Sequence, residues 1–216
     1  ERVMKYELIK KAALIKYNTT VEKYGGDNIQ AVHWDDIQKQ YIRFYLIKEH
    51  IPNDSEVSIL DIGCGNGEFF KYLNFNGFRG KYTGYDINDK LIKSAKNIYP
   101  KYKNNFKVID IFDDDLVENF DYVCVSGLFN NNLGQDEAWT KEFIRKMYDL
   151  ANRKVIFNAI STYTTFRENN MYYMDPFVIS DYIIKNLSQD LMLSHGQLPY
   201  NFQIVINKDK LWETIT

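Results

Sequence analysis

The chain has 216 residues, 45% of them hydrophobic and 26% charged, with a formal net charge of −2. That is enough sequence for one domain with a full core. The charge balance leaves no basic footprint for nucleic acid or an anionic membrane, and no run of about 18 apolar residues offers a membrane span.

In chain order, residues Val3 to Tyr17 read as a helix on which Met4, Leu8, Ala12 and Ile15 share an apolar face. A glycine loop at Gly25-Gly26 follows. A second helix is expected from about Trp34 to His50, with Asp35 and Asp36 favouring its N-terminus. His33 stands at its entrance. Arg43 falls one helical step off its apolar face, where it either meets solvent or pairs with a carboxylate in a site.

Val57 to Ile62 form a short, apolar, β-branched strand. It runs through Asp61-Ile62-Gly63-Cys64-Gly65-Asn66-Gly67 into a helix ending near Phe75. Three glycines at single-residue spacing let the backbone turn sharply and approach a ligand, with the next helix offering unpaired N–H groups to it. Such a turn alone is weak evidence, since dinucleotide, phosphate and adenosine sites all use one. The following strands sharpen it. Lys81 to Asp86 ends in an acid about 20 residues on, suited to a ribose diol. Phe106 to Asp110 ends in another acid, with Ile111 next. Phe120 to Ser126 ends in Ser126-Gly127. Between them a helix capped by Asn88 reaches Ile98. Polar residues at the carboxyl ends of successive strands mark where an open α/β sheet binds its ligand. The run Asp113-Asp114-Asp115 reads as a solvated loop rather than a metal site, and no metal is expected.

The loop Leu128 to Leu133 places Asn130 and Asn131 beside that crevice, where they either make turns or orient a substrate by hydrogen bonds. A helix from Gln135 to Ala151 and a strand from Lys154 to Ala159 follow. Next come a long loop from Ser161 to Tyr173, placed to line a pocket, and a helix started by Asp175-Pro176. Strands near Leu191 to His195 and Phe202 to Ile206 are too close in sequence to be anything but antiparallel. The two cysteines, Cys64 and Cys124, read as reduced core residues, and with no signal peptide in view a cytoplasmic location is expected.

The glycine turn, Asp86, Asp110-Ile111 and the strand and loop from Phe120 to Asn130 together resemble the class I S-adenosylmethionine (SAM)-dependent methyltransferases, over about Gln30 to Ile206. The resemblance implies a single Rossmann-like α/β domain. Its sheet is seven-stranded and mostly parallel, with an antiparallel last strand and helices on both faces. Residues 1–52 would form a helical cover on a core of residues 53–216. It implies SAM as cofactor, with S-adenosylhomocysteine (SAH) as product. The expected cofactor residues are Arg43, Asp61, Gly63, Cys64, Gly65, Asp86, Ile87, Asp110, Ile111 and Ser126, with Asp86 on the ribose, Asp110 on the adenine amine and Arg43 on the methionine carboxylate.

The motifs of nucleobase methylation are absent after the fourth strand. The expectation is therefore transfer to a small molecule, to oxygen, such as a sugar, a phosphate or another intermediate of bacterial surface-polysaccharide or secondary metabolism. A protein or RNA acceptor, or a non-catalytic SAM-binding subunit, are the alternatives. His33, His195 and Asn130 are the candidate catalytic residues: a hydroxyl acceptor must lose a proton, and histidine titrates near working pH.

Overall fold

The computed structural model describes residues 2–28, 30, 37–112 and 116–209. His33, the start of the second helix at Trp34 to Asp36, and the acids Asp113 to Asp115 lie outside the described residues.

Seven strands form one sheet: β1 (Ser58–Ile62), β2 (Lys81–Asp86), β3 (Phe106–Val108), β4 (Phe120–Val125), β5 (Ala151–Ile160), β6 (Leu191–His195) and β7 (Asn201–Asn207). Their order across the sheet is β3-β2-β1-β4-β5-β7-β6. The first five run parallel, and β7 is inserted antiparallel to both β5 and β6. The order reverses between β1 and β4, and it is at such a switch point that an open α/β sheet forms its ligand crevice.

The helices are α1 (Arg2–Tyr24), α2 (Ile37–Lys48), α3 (Glu68–Phe75), α4 (Asp89–Ile98), α5 (Glu137–Leu150) and α6 (Pro176–Asn186). Strand side chains alternate between two cores, as a period of two requires. Ile59, Tyr122, Cys124, Ile156 and Val205 pack with Phe44 and Ile47 of α2, Phe69, Phe70 and Leu73 of α3, and Ile92 and Ala95 of α4. Leu60, Val123, Val125, Val155, Phe157, Ile204 and Ile206 pack on the other face with α5 and α6. Helices thus cover both faces. Among the described residues, no helix is long and apolar enough to cross a membrane.

Local signals explain the helix boundaries. Asn88 accepts from Leu91 N–H as cap of α4, and Asp175 accepts from Phe177 and Val178 N–H, with Pro176 in the first turn of α6; both devices satisfy orphan N–H groups. α1 departs from expectation. Met4, Leu8 and Ile15 are 65%, 61% and 59% exposed, while Ile9 and Ala13 are buried. The face turned inward is a different one: α1 roofs a cavity with a charged rim and meets the apolar core through Tyr6 and Ile9.

Candidate functional site

The glycine turn after β1 is pinned by β2: Gly63 N–H and Cys64 N–H both donate to Tyr85 O, at 2.8 and 3.1 Å. Gly63 has φ +75°, and a Cβ there would come within 2.7 Å of Leu128 Cδ1. Only glycine combines that backbone with that close approach. The turn is further tied to the acid at the end of β2. Gly65 N–H donates to Asp86 Oδ2 at 2.9 Å and Asn88 N–H to Asp86 Oδ1 at 2.9 Å. Burial pushes the Asp86 carboxyl upward, and N–H groups of Asn88, Gly65 and Ile87 oppose that shift. After β3, Asp110 Oδ1 accepts from Phe112 N–H at 2.9 Å, and Oδ2 pairs with Lys10 of α1 at 2.9 Å.

These elements surround one cavity of about 340 Å³, whose wall includes Gly63, Gly65, Asp86, Ile87, Asp110, Ile111, Ser126, Asn130 and Arg43. Nine residues singled out in the sequence thus converge there. Arg43 is buried. Its Nη2 and Nε donate to Asn201 Oδ1 at 3.0 and 3.3 Å, and Nη1 to Lys39 O at 3.3 Å, so it is no solvated helix arginine. Ser126 Oγ and Asn130 Oδ1 are buried without a hydrogen-bond partner among the described residues.

Three expected residues lie elsewhere. Asp61 is not on the cavity wall: its carboxylate points across the sheet, where Tyr82 Oη donates to Oδ2 at 2.7 Å. Cys64 turns its side chain toward Gly84 in the opposite core. Burial pushes both cysteine thiols well up, which keeps them protonated and unreactive. His195 is exposed at the end of β6, its Nε2 2.8 Å from Ser161 Oγ, and it does not line the cavity. Of the loop after β5, Met171 reaches the cavity wall, whereas Tyr163, Phe166, Arg167, Tyr172 and Tyr173 do not.

The sequence reading missed what α1 contributes. Tyr6, Ile9, Lys10, Ala13 and Tyr17 all line the cavity, and their spacing of three, four, seven and eleven residues from Tyr6 is a helix face. Asn131 links this roof to the loop after β4: it donates to Tyr17 Oη at 2.9 Å and accepts from Lys16 Nζ at 2.6 Å. Burial first, and then Asp86, push the Tyr17 phenol up to about 12. At its far end α1 is held where Asn66 Nδ2, within the glycine turn, donates to Gly26 O at 3.0 Å.

Burial, with Asp86 adding to it, pushes the Asp61 carboxyl up to about 7. A group whose pKa is raised on folding stabilises the fold below its unfolded pKa and loses that contribution as pH rises. Asp61 therefore gives stability a downward slope as pH rises from about 4 to about 7. Asp61→Asn should flatten that slope in urea denaturation followed across pH.

A family model described as a methyltransferase domain matches residues 53–210. A putative methyltransferase, Rv1506c, of Mycobacterium tuberculosis is 29% identical over 157 residues, spanning 70% of this chain and 93% of that protein. EEF1A lysine methyltransferase 2 of Mus musculus is 32% identical over 142 residues, which is 63% of this chain and 55% of that one. Among solved structures, magnesium protoporphyrin IX methyltransferase from Synechocystis with bound SAM gives a TM-score of 0.65 at 16% identity, over 93% of this chain and 97% of that one. The N-methyltransferase NodS of Bradyrhizobium japonicum, in complex with SAH, gives 0.65 at 14% identity, over 90% and 97%.

Proposed function

The chain belongs to the methyltransferase domain family, a family of SAM-dependent enzymes, and on that premise we propose that it methylates a small molecule at oxygen. One observation carries the reading: the glycine turn, the acids ending β2 and β3, and Asn130 after β4 open into a single cavity beneath α1. A roofed cavity suits a small acceptor better than a folded polymer surface. Residues 1–52 act as cover, and residues 53–216 as the core that holds the cofactor.

The wall fits SAM. Asp86 offers a carboxylate to ribose hydroxyls, Asp110 an acceptor to the adenine amine, Ile87 and Ile111 apolar faces to the ring, and Arg43 a guanidinium to the methionine carboxylate. SAM held there would supply a methyl on a positively charged sulfur, and in-line transfer to a hydroxyl oxygen would leave SAH, with the hydroxyl's proton passing out to bulk solvent. The chain's own task is alignment and exclusion of water. α1 does the second through Tyr6, Ile9 and Ala13, and Tyr17 with Asn131 fastens that roof to the acceptor loop.

Arg43→Ala should weaken SAM and SAH alike, about ten- to a hundredfold, because both carry the carboxylate and a charge-assisted hydrogen bond is worth roughly 1.5–3 kcal/mol. Asn201→Ala, which removes one of Arg43's partners and leaves Lys39 O in place, should cost less. Calorimetric titration of both ligands checks this. The transfer itself is tested by SAH release that appears only when an acceptor is added; SAH binding without any acceptor-dependent release across a broad hydroxyl panel would count against a small-molecule enzyme.

A further inference from the structure

The cavity takes one face of α1; the opposite face meets solvent. Val3, Met4, Leu8 and Ile15 are 76%, 65%, 61% and 59% exposed. At the helical repeat, Met4, Leu8, Lys11 and Ile15 fall within an arc of about 60°, turned directly away from buried Ile9 and Ala13. Their spacing of four, three and four residues is the seam spacing of paired helices. Single exposed apolar residues are ordinary, but a continuous stripe of them marks an interaction surface.

The charges on the stripe say what it meets. Lys5, Lys10 and Lys16 turn toward the body of the protein, onto Asp136, Asp110 and Asn131. Lys11 stands in the middle of the stripe and is exposed. Glu7, one turn earlier at the stripe's edge, is exposed as well and borders the cavity rim. Among the described residues neither has an ion-pair partner, although the two stand at the spacing where a helix can pair them. A lysine inside an apolar stripe calls for an acid opposite it. The interior of a bilayer offers none, and an anionic headgroup layer would repel Glu7. A second copy of the same helix offers both the apolar surface and the acid.

The stripe matches itself when two copies lie antiparallel about a two-fold axis. Met4 then faces Ile15 of the second copy, and Leu8 faces its Lys11. Lys11 lays its stem along that leucine, and its ammonium meets Glu7, which sits one residue, about 1.5 Å of rise, from the same level. Symmetry makes each contact twice. A parallel pairing would set Lys11 against Lys11. We infer that α1 is a self-docking helix: two copies of this chain pair antiparallel through Met4, Leu8, Lys11 and Ile15, with a Glu7–Lys11 ion pair on each side of the axis. The stripe runs about 18 Å from Val3 to Ile15, small beside a standard interface of about 800 Å² per partner, so the dimer is weak and reversible. The inference does not depend on which acceptor the cavity takes.

Sedimentation velocity on the full chain over a hundredfold range of concentration tests it. The wild type should pass reversibly from monomer to dimer. Leu8→Glu should weaken association at least tenfold, and its urea midpoint should match wild type because the position is exposed. Lys11→Glu and Glu7→Lys each set like charges face to face, and each alone should associate about fivefold more weakly. Mixed in equal amounts, these two variants should associate within twofold of wild type, since a dimer of one with the other restores both ion pairs. Pairing of Glu7 with Lys11 inside one helix cannot give that result. A wild type that stays monomeric throughout, a dimer indifferent to Leu8→Glu, or a mixture no tighter than either variant alone would each overturn the inference. Wild-type binding to phosphatidylserine vesicles that Leu8→Glu abolishes, without self-association, would assign the stripe to a membrane surface and overturn it too.

Discussion

Asp86→Ala is expected to weaken SAM binding by on the order of a hundred- to a thousandfold, about 3–4 kcal/mol. Two effects add. The ribose loses a carboxylate that can accept from both of its hydroxyls. The glycine turn loses its tether as well, since Gly65 and Asn88 N–H both donate to that carboxylate at 2.9 Å. The apo fold should survive, because these N–H groups border the cavity, where water can replace the lost oxygens. Asp86→Asn keeps one acceptor oxygen and should fall between. Calorimetry on wild type and both variants checks the order. Equal affinity in all three would remove Asp86 from the cofactor site.

The largest effect on stability is expected at Phe129. It is fully buried, with ring centroids 5.3 Å from Phe143, 5.6 Å from Phe157 and 6.3 Å from Trp139. Truncating a packed phenylalanine to alanine costs about 3–5 kcal/mol in lost transfer energy and residual cavity. Phe129 also anchors the short 3-10 turn Leu128–Asn130, so Phe129→Ala should depress acceptor turnover more than SAM affinity. Urea unfolding with an unchanged slope and a lowered midpoint would report the stability loss. A midpoint near wild type would mean that α5 and β5 close over the gap.

The sheet was legible because its signals are local and redundant. β1 and β4 are short, largely apolar runs and β2 is a short tyrosine-bearing one, and all three end beside glycine, acid or serine, which places those ends together at a crevice. β5 was read too short. Its polar start is held by distant partners, with Arg153 O accepting from Lys208 N–H at 2.8 Å and Arg153 Nε donating to Asp209 at 3.2 Å, and tertiary pairing of that kind leaves no mark on strand propensity. α1 was read inside out for a related reason. Periodicity assumes that the most apolar face turns inward, but this helix meets a rim of Asp110, Asn131 and Asp136, so Lys10, Lys16 and Lys5 face the body of the protein. The cavity residues on β-strand ends were found from motif spacing. Asp61 was placed in the crevice because it belongs to the same motif, yet alternation along β1 directs it to Tyr82. His195 was a candidate on chemistry alone, and nothing in sequence could reveal that a hairpin would carry it to Ser161.

The inserted position of β7 has a bearing on how the chain is made. On the ribosome β6 emerges before β7, yet among the described residues its only sheet neighbour is β7, and β5 from Lys154 to Ile160 also waits for that strand. Until Asn201–Asn207 is synthesised, a nascent chain holds an unpaired strand edge and a stranded hairpin arm, both open to pairing with other chains. Arg43, translated long before, has no Asn201 to orient it until then. Among the described strands β7 is the last to be translated, so a message truncated ahead of Asn201 yields a sticky intermediate whose Arg43 lacks that partner.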